Sequence, residues 1–217
     1  MHLSSVKLSL AKGCSLSEKP YALVVLVSGS GSNLQAIMDA IAGGTLDAQI
    51  ACVVSNKRKA YALERAENAS IPTHVAPLKP YLREGHTREQ YDVDLAQVIN
   101  GYAPDLIVLA GWMHIVSAAF LDVIQAPVIN LHPALPGTFP GTHAIERAYE
   151  AFQRGEISQS GCMVHHVIPE IDAGEVITQA IVPFTAGESL DDYETRIHAA
   201  EHRIIVEAVR QIQLAKA

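Results

Sequence analysis

ALVVLVSGSGSNLQAIMDAIAGG, residues 22–44, decides the fold class. Residues 22–27 are uniformly apolar and hold three valines. A run of that length closed by Ser and Gly reads as a strand covered on both faces, since a face open to water would impose polar alternation. Beyond the glycines, Leu34, Ile37, Met38 and Ile41 recur at the spacing of one helix face, and Gly43-Gly44 ends the pattern. Strand, glycine turn and helix follow one another, and the alternation continues downstream. QIACVV (49–54), PTHVA (72–76), DLIVLA (105–110) and PVINL (127–131) read as further strands. Tyr91, Val93, Leu95, Val98 and Ile99 form a second apolar stripe between Glu89 and Gly101. The expectation is an α/β protein, a mostly parallel twisted sheet with helices on both faces.

After residue 135 the pattern changes. A helix is expected near Ala144–Arg154, then two antiparallel strands at CMVHHV (162–167) and EVITQAIV (175–182), then a long C-terminal helix from Ser189. Ser189 with Asp192 makes a capping-box-like start, Asp replacing the usual Glu or Gln. With no repeat, low-complexity tract or linker, the 217 residues divide into a loosely ordered extension, 1–20, and a single domain, 21–217.

Every apolar run is interrupted well short of the roughly 20 residues that a membrane span needs. A formal charge of −7 argues against nucleic acid, whose phosphates call for clustered Lys and Arg; Lys57-Arg58-Lys59 is the one dense basic patch. Cys14, Cys52 and Cys162 are odd in number and lack metal spacing, so they read as reduced thiols of a cytoplasmic protein. Neither a signal peptide nor a transit peptide is legible in residues 1–20.

The turn SGSGSN (28–33) lies where a strand hands over to a helix, and there free backbone N–H groups and the positive end of the helix dipole favour an anion. The dinucleotide fingerprint is met only in part, because Leu34 stands in the place of its third glycine, and the P-loop lysine is absent. Ser55-Asn56-Lys57-Arg58 keeps a 2′-phosphate of a nicotinamide cofactor as an alternative, and a ligand-free tight turn is another. A single phosphate is the favoured anion.

VINLHPALP (128–136) carries the second signal. Asn130 and His132, two apart in an extended chain, share a face, and Pro133 holds His132 out of a helix. In IPEIDAGEVI (168–177), Asp172 precedes an Ala-Gly turn and by itself reads as a turn-forming residue. If it met His132 in space it would orient the imidazole and favour its charged form, giving a general acid for neutral pH. His165 and His166 are adjacent in a strand and face opposite ways, so no metal site is expected.

VLVSGSGSNLQAI (25–37), VVSNKRKAYALERAE (53–67), DLIVLAGWMHIVS (105–117), NLHPALPGTFPGTHAIERAYE (130–150) and IDAGEVITQAIVPFTAGES (171–189) occur in this order, and together they resemble the folate-dependent phosphoribosylglycinamide formyltransferases. The resemblance covers about residues 21–212 and implies a Rossmann-like formyltransferase fold. It also implies transfer of the formyl group of 10-formyltetrahydrofolate to the amine of glycinamide ribonucleotide in purine biosynthesis, without a metal. By the same resemblance Asn130, His132 and Asp172 would be catalytic, stabilising a tetrahedral intermediate, with His132 kept protonated by Asp172. Gly31, Ser32 and Asn33 would hold the ribonucleotide phosphate, with Glu201 on the ribose and His198 beside it. The folate would lie along Met113, His114, Ile115 and Val116 and along Ile168, Pro169, Glu170, Ile171 and Asp172, in contact with Asn130, with Arg88 meeting its glutamate tail. His114 and Met163 depart from the family pattern, as do the shortened ALPG after His-Pro and the extra residues around 153–159.

The resemblance leaves rivals. Hydrolysis of the same donor and formylation of initiator methionyl-tRNA belong to siblings with an additional domain, which a chain of residues 1–217 is not expected to hold. A nicotinamide-dependent reductase and a noncatalytic folate- or nucleotide-binding module are rivals from other classes; the presence of Asn130, His132 and Asp172 counts against the latter. The expected partners are the two small molecules, with no nucleic acid and no membrane, and segment 105–117 leaves room for a homodimer.

Overall fold

A computed structural model describes residues 19–216. Most of the extension expected at 1–20 therefore lies outside the described residues. The chain runs β1 (Tyr21–Val27), α1 (Ser32–Ala42), β2 (Ala48–Ser55), α2 (Tyr61–Asn68), β3 (Thr73–Val75), α3 (Leu78–Arg83) and α4 (Arg88–Asn100). It continues through β4 (Leu106–Leu109), α5 (Ala118–Val123), β5 (Val128–His132), α6 (Ala144–Gln153), β6 (Gln159–His166), β7 (Val176–Pro183) and α7 (Leu190–Lys216). All seven strands expected from the sequence are present. The short helices α2, α3 and α5 are additional; six to eight residues are too few for helical periodicity to declare itself.

The strands form one sheet in the order β3-β2-β1-β4-β5-β6-β7. Strands β1 to β5 pair with one another in parallel, and the β5–β6 and β6–β7 pairings are antiparallel. In β1, Leu23, Val25 and Val27 pack on one face with Leu34 and Ile37 of α1 and Tyr193, Ile197 and Ile205 of α7. Val24 and Leu26 pack on the other with Tyr91, Leu95 and Ile99 of α4 and Phe120 of α5. Period-two alternation thus feeds two cores from one strand, which is why the run carries no polar residue. Full burial of each such Leu or Ile contributes about 1.5–3 kcal/mol.

The order also positions the site. The chain leaves β1 toward β2 on one side and returns through β4 on the other, leaving a crevice beyond the carboxyl ends of these strands. At its lip Gly31 adopts φ +73°, and a Cβ there would stand 2.5 Å from the Ala62 Cβ of α2. Glycine is required at 31 because α2 packs directly on the turn, as well as for its left-handed backbone. At the other end, reciprocal bonds between Ser189 and Asp192 start α7 as expected.

Candidate active site

A cleft of about 610 Å³ opens beyond the ends of β1, β4 and β5, well within the size range of small-molecule sites. Of the residues expected to bind ligand or react, all but Arg88 line it.

At one end stands the N-terminus of α1, where Gly31 is the N-cap, no side chain caps the helix and no acidic residue occupies the first turn. Its backbone donors are therefore open to an anion. The buried Asn33 donates Nδ2 to Glu201 Oε2 at 3.1 Å, and its Oδ1 has no hydrogen-bond partner. Glu201 also meets His198 Nδ1 at 2.9 Å. That hydrogen bond raises the His198 pKa above its ordinary 6.5, against the pull of burial and with help from the charges of Glu201 and Glu194. Lys57 also lines the cleft, and its charge is felt at His114.

At the centre, β5 carries Asn130 and His132 to the lip, and Asp172 reaches both from the segment before β7. Asn130 Nδ2 donates to Asp172 Oδ1 at 3.2 Å and approaches His165 Nε2 at 3.2 Å. His165 Nδ1 lies 2.8 Å from the His166 carbonyl, which can only accept, so that nitrogen carries a proton, and Nε2 also stands 3.5 Å from Asp172 Oδ1. His132 Nδ1 lies 3.4 Å from Asp172 Oδ2, and its Nε2 faces the Phe139 carbonyl at 3.1 Å. The Gly141 N–H donates to Asp172 Oδ2 at 2.8 Å. Asp172 itself has φ +52°, and a Cβ on Gly174 would fall 1.8 Å from the His166 carbonyl oxygen, so the D-A-G run is dictated by close approach to the end of β6.

The proton affinities depart from expectation. Burial pushes His132 below 6.5 and outweighs Asp172 and the Phe139 carbonyl, which pull it up, while His165 and Arg147 push it further down. In the free site burial therefore favours the neutral ring, against the pull of Asp172. Burial alone would raise Asp172, but His165, the Gly141 N–H and His132 together hold its carboxyl below the usual range. A carboxylate thus stands beside a neutral imidazole, ready to stabilise that ring once a proton arrives.

The far end is apolar. Met113, Ile115, Ile168 and Ile171 are exposed around the opening, an unpartnered hydrophobic rim suited to a flat, largely apolar ligand. The backbone N–H of Met113 is tied to Ser28 Oγ at 2.9 Å, which links this wall to the glycine turn. His114 turns toward Trp112 and Tyr91, and its buried Nδ1 has no partner. Arg88 stands outside the cleft. Its Nε is 3.0 Å from both Asp92 oxygens and its Nη2 donates to the Ile115 carbonyl, so it props the rim from behind. Met163 is buried opposite His132 in the β5–β6 pairing and brings no polar group.

Sequence reasoning missed His165, His143, Glu146 and Trp112, all of which line the cleft together with Lys57 of the basic patch, and Arg147, which stands behind it. His165 becomes visible only through the register that pairs it with Asn130. Among the described residues no group of three or more His, Cys, Asp or Glu could hold a metal ion, and no helix is long and apolar enough to cross a membrane.

Residues 21–209 match the Formyl transferase family. A phosphoribosylglycinamide formyltransferase of Schizosaccharomyces pombe is 50% identical over 198 residues, covering 88% of this chain and 96% of its own. One of Escherichia coli is 43% identical over 182 residues, covering 84% and 82%. The crystal structure of phosphoribosylglycinamide formyltransferase from Bacillus halodurans superposes with a TM-score of 0.81 at 30% identity, covering 88% of this chain and 94% of that one.

Proposed function

Because the chain belongs to the formyl transferase family, this enzyme moves a formyl group onto phosphoribosylglycinamide in purine biosynthesis, and we propose that Asn130, His132 and Asp172 carry the transfer from 10-formyltetrahydrofolate. The observation that supports this reading best is Asp172, one carboxylate joined to Asn130, His132 and the Gly141 N–H midway between an anion-binding helix end and an apolar rim.

The substrate phosphate rests on the N–H groups of Gly31, Ser32 and Asn33, with protonated His198 adding charge, and Glu201 takes the ribose hydroxyls. The donor, when bound along residues 113–116 and 168–172, supplies an activated formyl carbon; Met113, Ile115, Ile168 and Ile171 are the side chains that fit a flat ring there. Arg88 acts through the Ile115 carbonyl and stands near enough to the rim to meet an anionic tail. His132, neutral at rest, takes a proton from the incoming ammonium and leaves a nucleophilic amine. The imidazolium is then held by Asp172 at Nδ1. The amine bonds to the formyl carbon, and as the tetrahedral intermediate collapses the bond from that carbon to the donor nitrogen breaks, His132 returns its proton to that nitrogen, and the attacking nitrogen loses its remaining extra proton to solvent beside Asp172. Asn130 exchanges its His165 contact for the developing oxyanion, a contribution typically worth about a hundred- to thousandfold. Residues 21–217 act as one catalytic domain on two small molecules.

The test mixes the purified protein with formyl donor and follows deformylation by absorbance, with and without the ribonucleotide. Deformylation that requires the ribonucleotide supports the transferase. Deformylation without it would make this a donor hydrolase.

Two predictions concern the phosphate end. Asn33→Ala removes the bond to Glu201 and leaves that buried carboxylate with His198 alone; KM for the ribonucleotide should rise at least about tenfold, the loss of a hydrogen bond to a charged group, with kcat within about threefold. A loss confined to kcat would refute this placement. The second is a pH effect. His198 faces Glu201, Glu194 and His202 on its own helix, and α1 contributes the uncharged Asn33. Its raised pKa keeps it charged below and somewhat above 6.5, while a phosphate monoester is already doubly charged above about pH 6. Ribonucleotide KM should therefore rise as pH passes through the raised His198 value, and His198→Gln should flatten the rise. A wild-type KM that is level from pH 6.5 to 9 would remove His198 from the site.

A further inference from the structure

The turn between β5 and α6 is costly to hold. Gly137, Phe139, Gly141 and His143 all adopt positive φ, and two of the four are not glycine. Yet this turn supplies one partner to each member of the central pair, the Phe139 carbonyl at His132 Nε2 and the Gly141 N–H at Asp172 Oδ2. Arg147, in the first turn of α6, holds it. Arg147 Nη2 donates to the carbonyls of Phe139 and Pro140, both at 2.7 Å, Nε donates to the His143 carbonyl at 3.3 Å, and the guanidinium lies over the Phe139 ring at 6.0 Å. Three carbonyls on one planar fork make a geometry that a point charge reproduces only in part.

We propose that Arg147 is a positioning residue for the reaction: its guanidinium fixes the 137–143 turn so that one backbone carbonyl meets His132 and one backbone N–H meets Asp172. It does not line the cleft. Its action is on the protons of the pair, because the Gly141 N–H favours the Asp172 carboxylate and the Phe139 carbonyl fixes the orientation of the imidazole. The charged and titratable groups facing the His132–Asp172 pair are His165 from β6 and Arg147 from α6; His143 and Glu146 bond to each other at 2.9 Å near the mouth. The inference rests on Asn130, His132 and Asp172 being the reacting set.

The experiment compares Arg147→Ala and Arg147→Lys with the parent enzyme for kcat, both KM values, the pH profile of kcat and Tm. Arg147→Ala should lower kcat at least about tenfold, the scale expected when catalytic groups drift by a fraction of an ångström, with both KM values within about threefold. The acid limb of kcat should move to higher pH, since a carboxylate deprived of the Gly141 N–H is protonated more readily. Arg147→Lys should recover only part of the rate and return the limb part of the way toward its parental position. Parental kcat in Arg147→Ala would overturn the proposal, and so would a lower kcat with an unmoved acid limb, which is what general loosening produces. If Asp172→Asn were fully active, the reacting set itself would be wrong; an inactive Asp172→Asn beside a parental Arg147→Ala would sink only the role of Arg147.

Discussion

Asp172→Asn is expected to lower kcat by about a hundred- to ten-thousandfold, the range typical of a group that manages a proton in the transition state. The replacement is nearly isosteric, and its amide oxygen can still accept from the Gly141 N–H. It cannot stabilise an imidazolium at His132, and its NH2 group would oppose Asn130 Nδ2, a donor that now points at the carboxylate. The fold should survive, because Asp172 sits in a surface segment outside both cores. Circular dichroism melting beside steady-state rates would check both halves, and turnover within a few-fold of the parent would remove Asp172 from the mechanism. The pH sign follows from its depressed pKa. Whatever stability the carboxylate contributes is present above its ordinary 3.8 and is lost as pH falls through the lower folded value.

Gly174→Ala should be nearly as damaging for a different reason. The new methyl would lie 1.8 Å from the His166 oxygen and 2.8 Å from its carbonyl carbon, both backbone atoms of β6, which cannot swing aside as a side chain could. Either the end of β6 or the D-A-G turn must shift, and Asp172 lies two residues upstream. A displacement of about 1 Å at a reacting group costs on the order of a hundredfold in rate, and overpacking costs about 1–3 kcal/mol of stability. Both kcat and Tm should therefore fall together. A variant with parental kcat and Tm would mean that the turn has slack which the observed contacts deny.

How much of this was legible in the sequence depends on the range of the interaction. The apolar run of β1 needed only local alternation, and it was placed to within one residue. Asn130 and His132 share a face through the same rule. Asp172 and Glu201 were placed through resemblance, since nothing in a linear chain announces a partner 42 or 168 residues away. His165 was passed over because its role follows from strand register, and Arg147 because it contacts only backbone carbonyls, which carry no residue signature. The pull of burial on His132 is illegible in the sequence for a physical reason as well. Proximity to a carboxylate suggested a charged ring, while the depth of burial, which disfavours that charge, depends on how the 137–143 turn folds over it.

The centre of the cleft and its phosphate end also differ in how far the chain must travel to close them. Asn130 and Asp172 are 42 residues apart and Asn33 and Glu201 are 168 apart, a fourfold ratio of loop lengths. By loop-closure entropy the longer connection costs about 1.2 kcal/mol more to bring together, two doublings at about 0.6 kcal/mol each. The reacting set can thus assemble while the chain is still partly open, whereas the ribonucleotide end exists only when α7 has docked. Thermal fraying should follow the reverse sequence, so that a partly melted molecule loses its grip on the acceptor before its chemistry is dismantled. Failure in that order leaves formyl donor unconsumed, and the long-range contact serves as an interlock between folding and turnover.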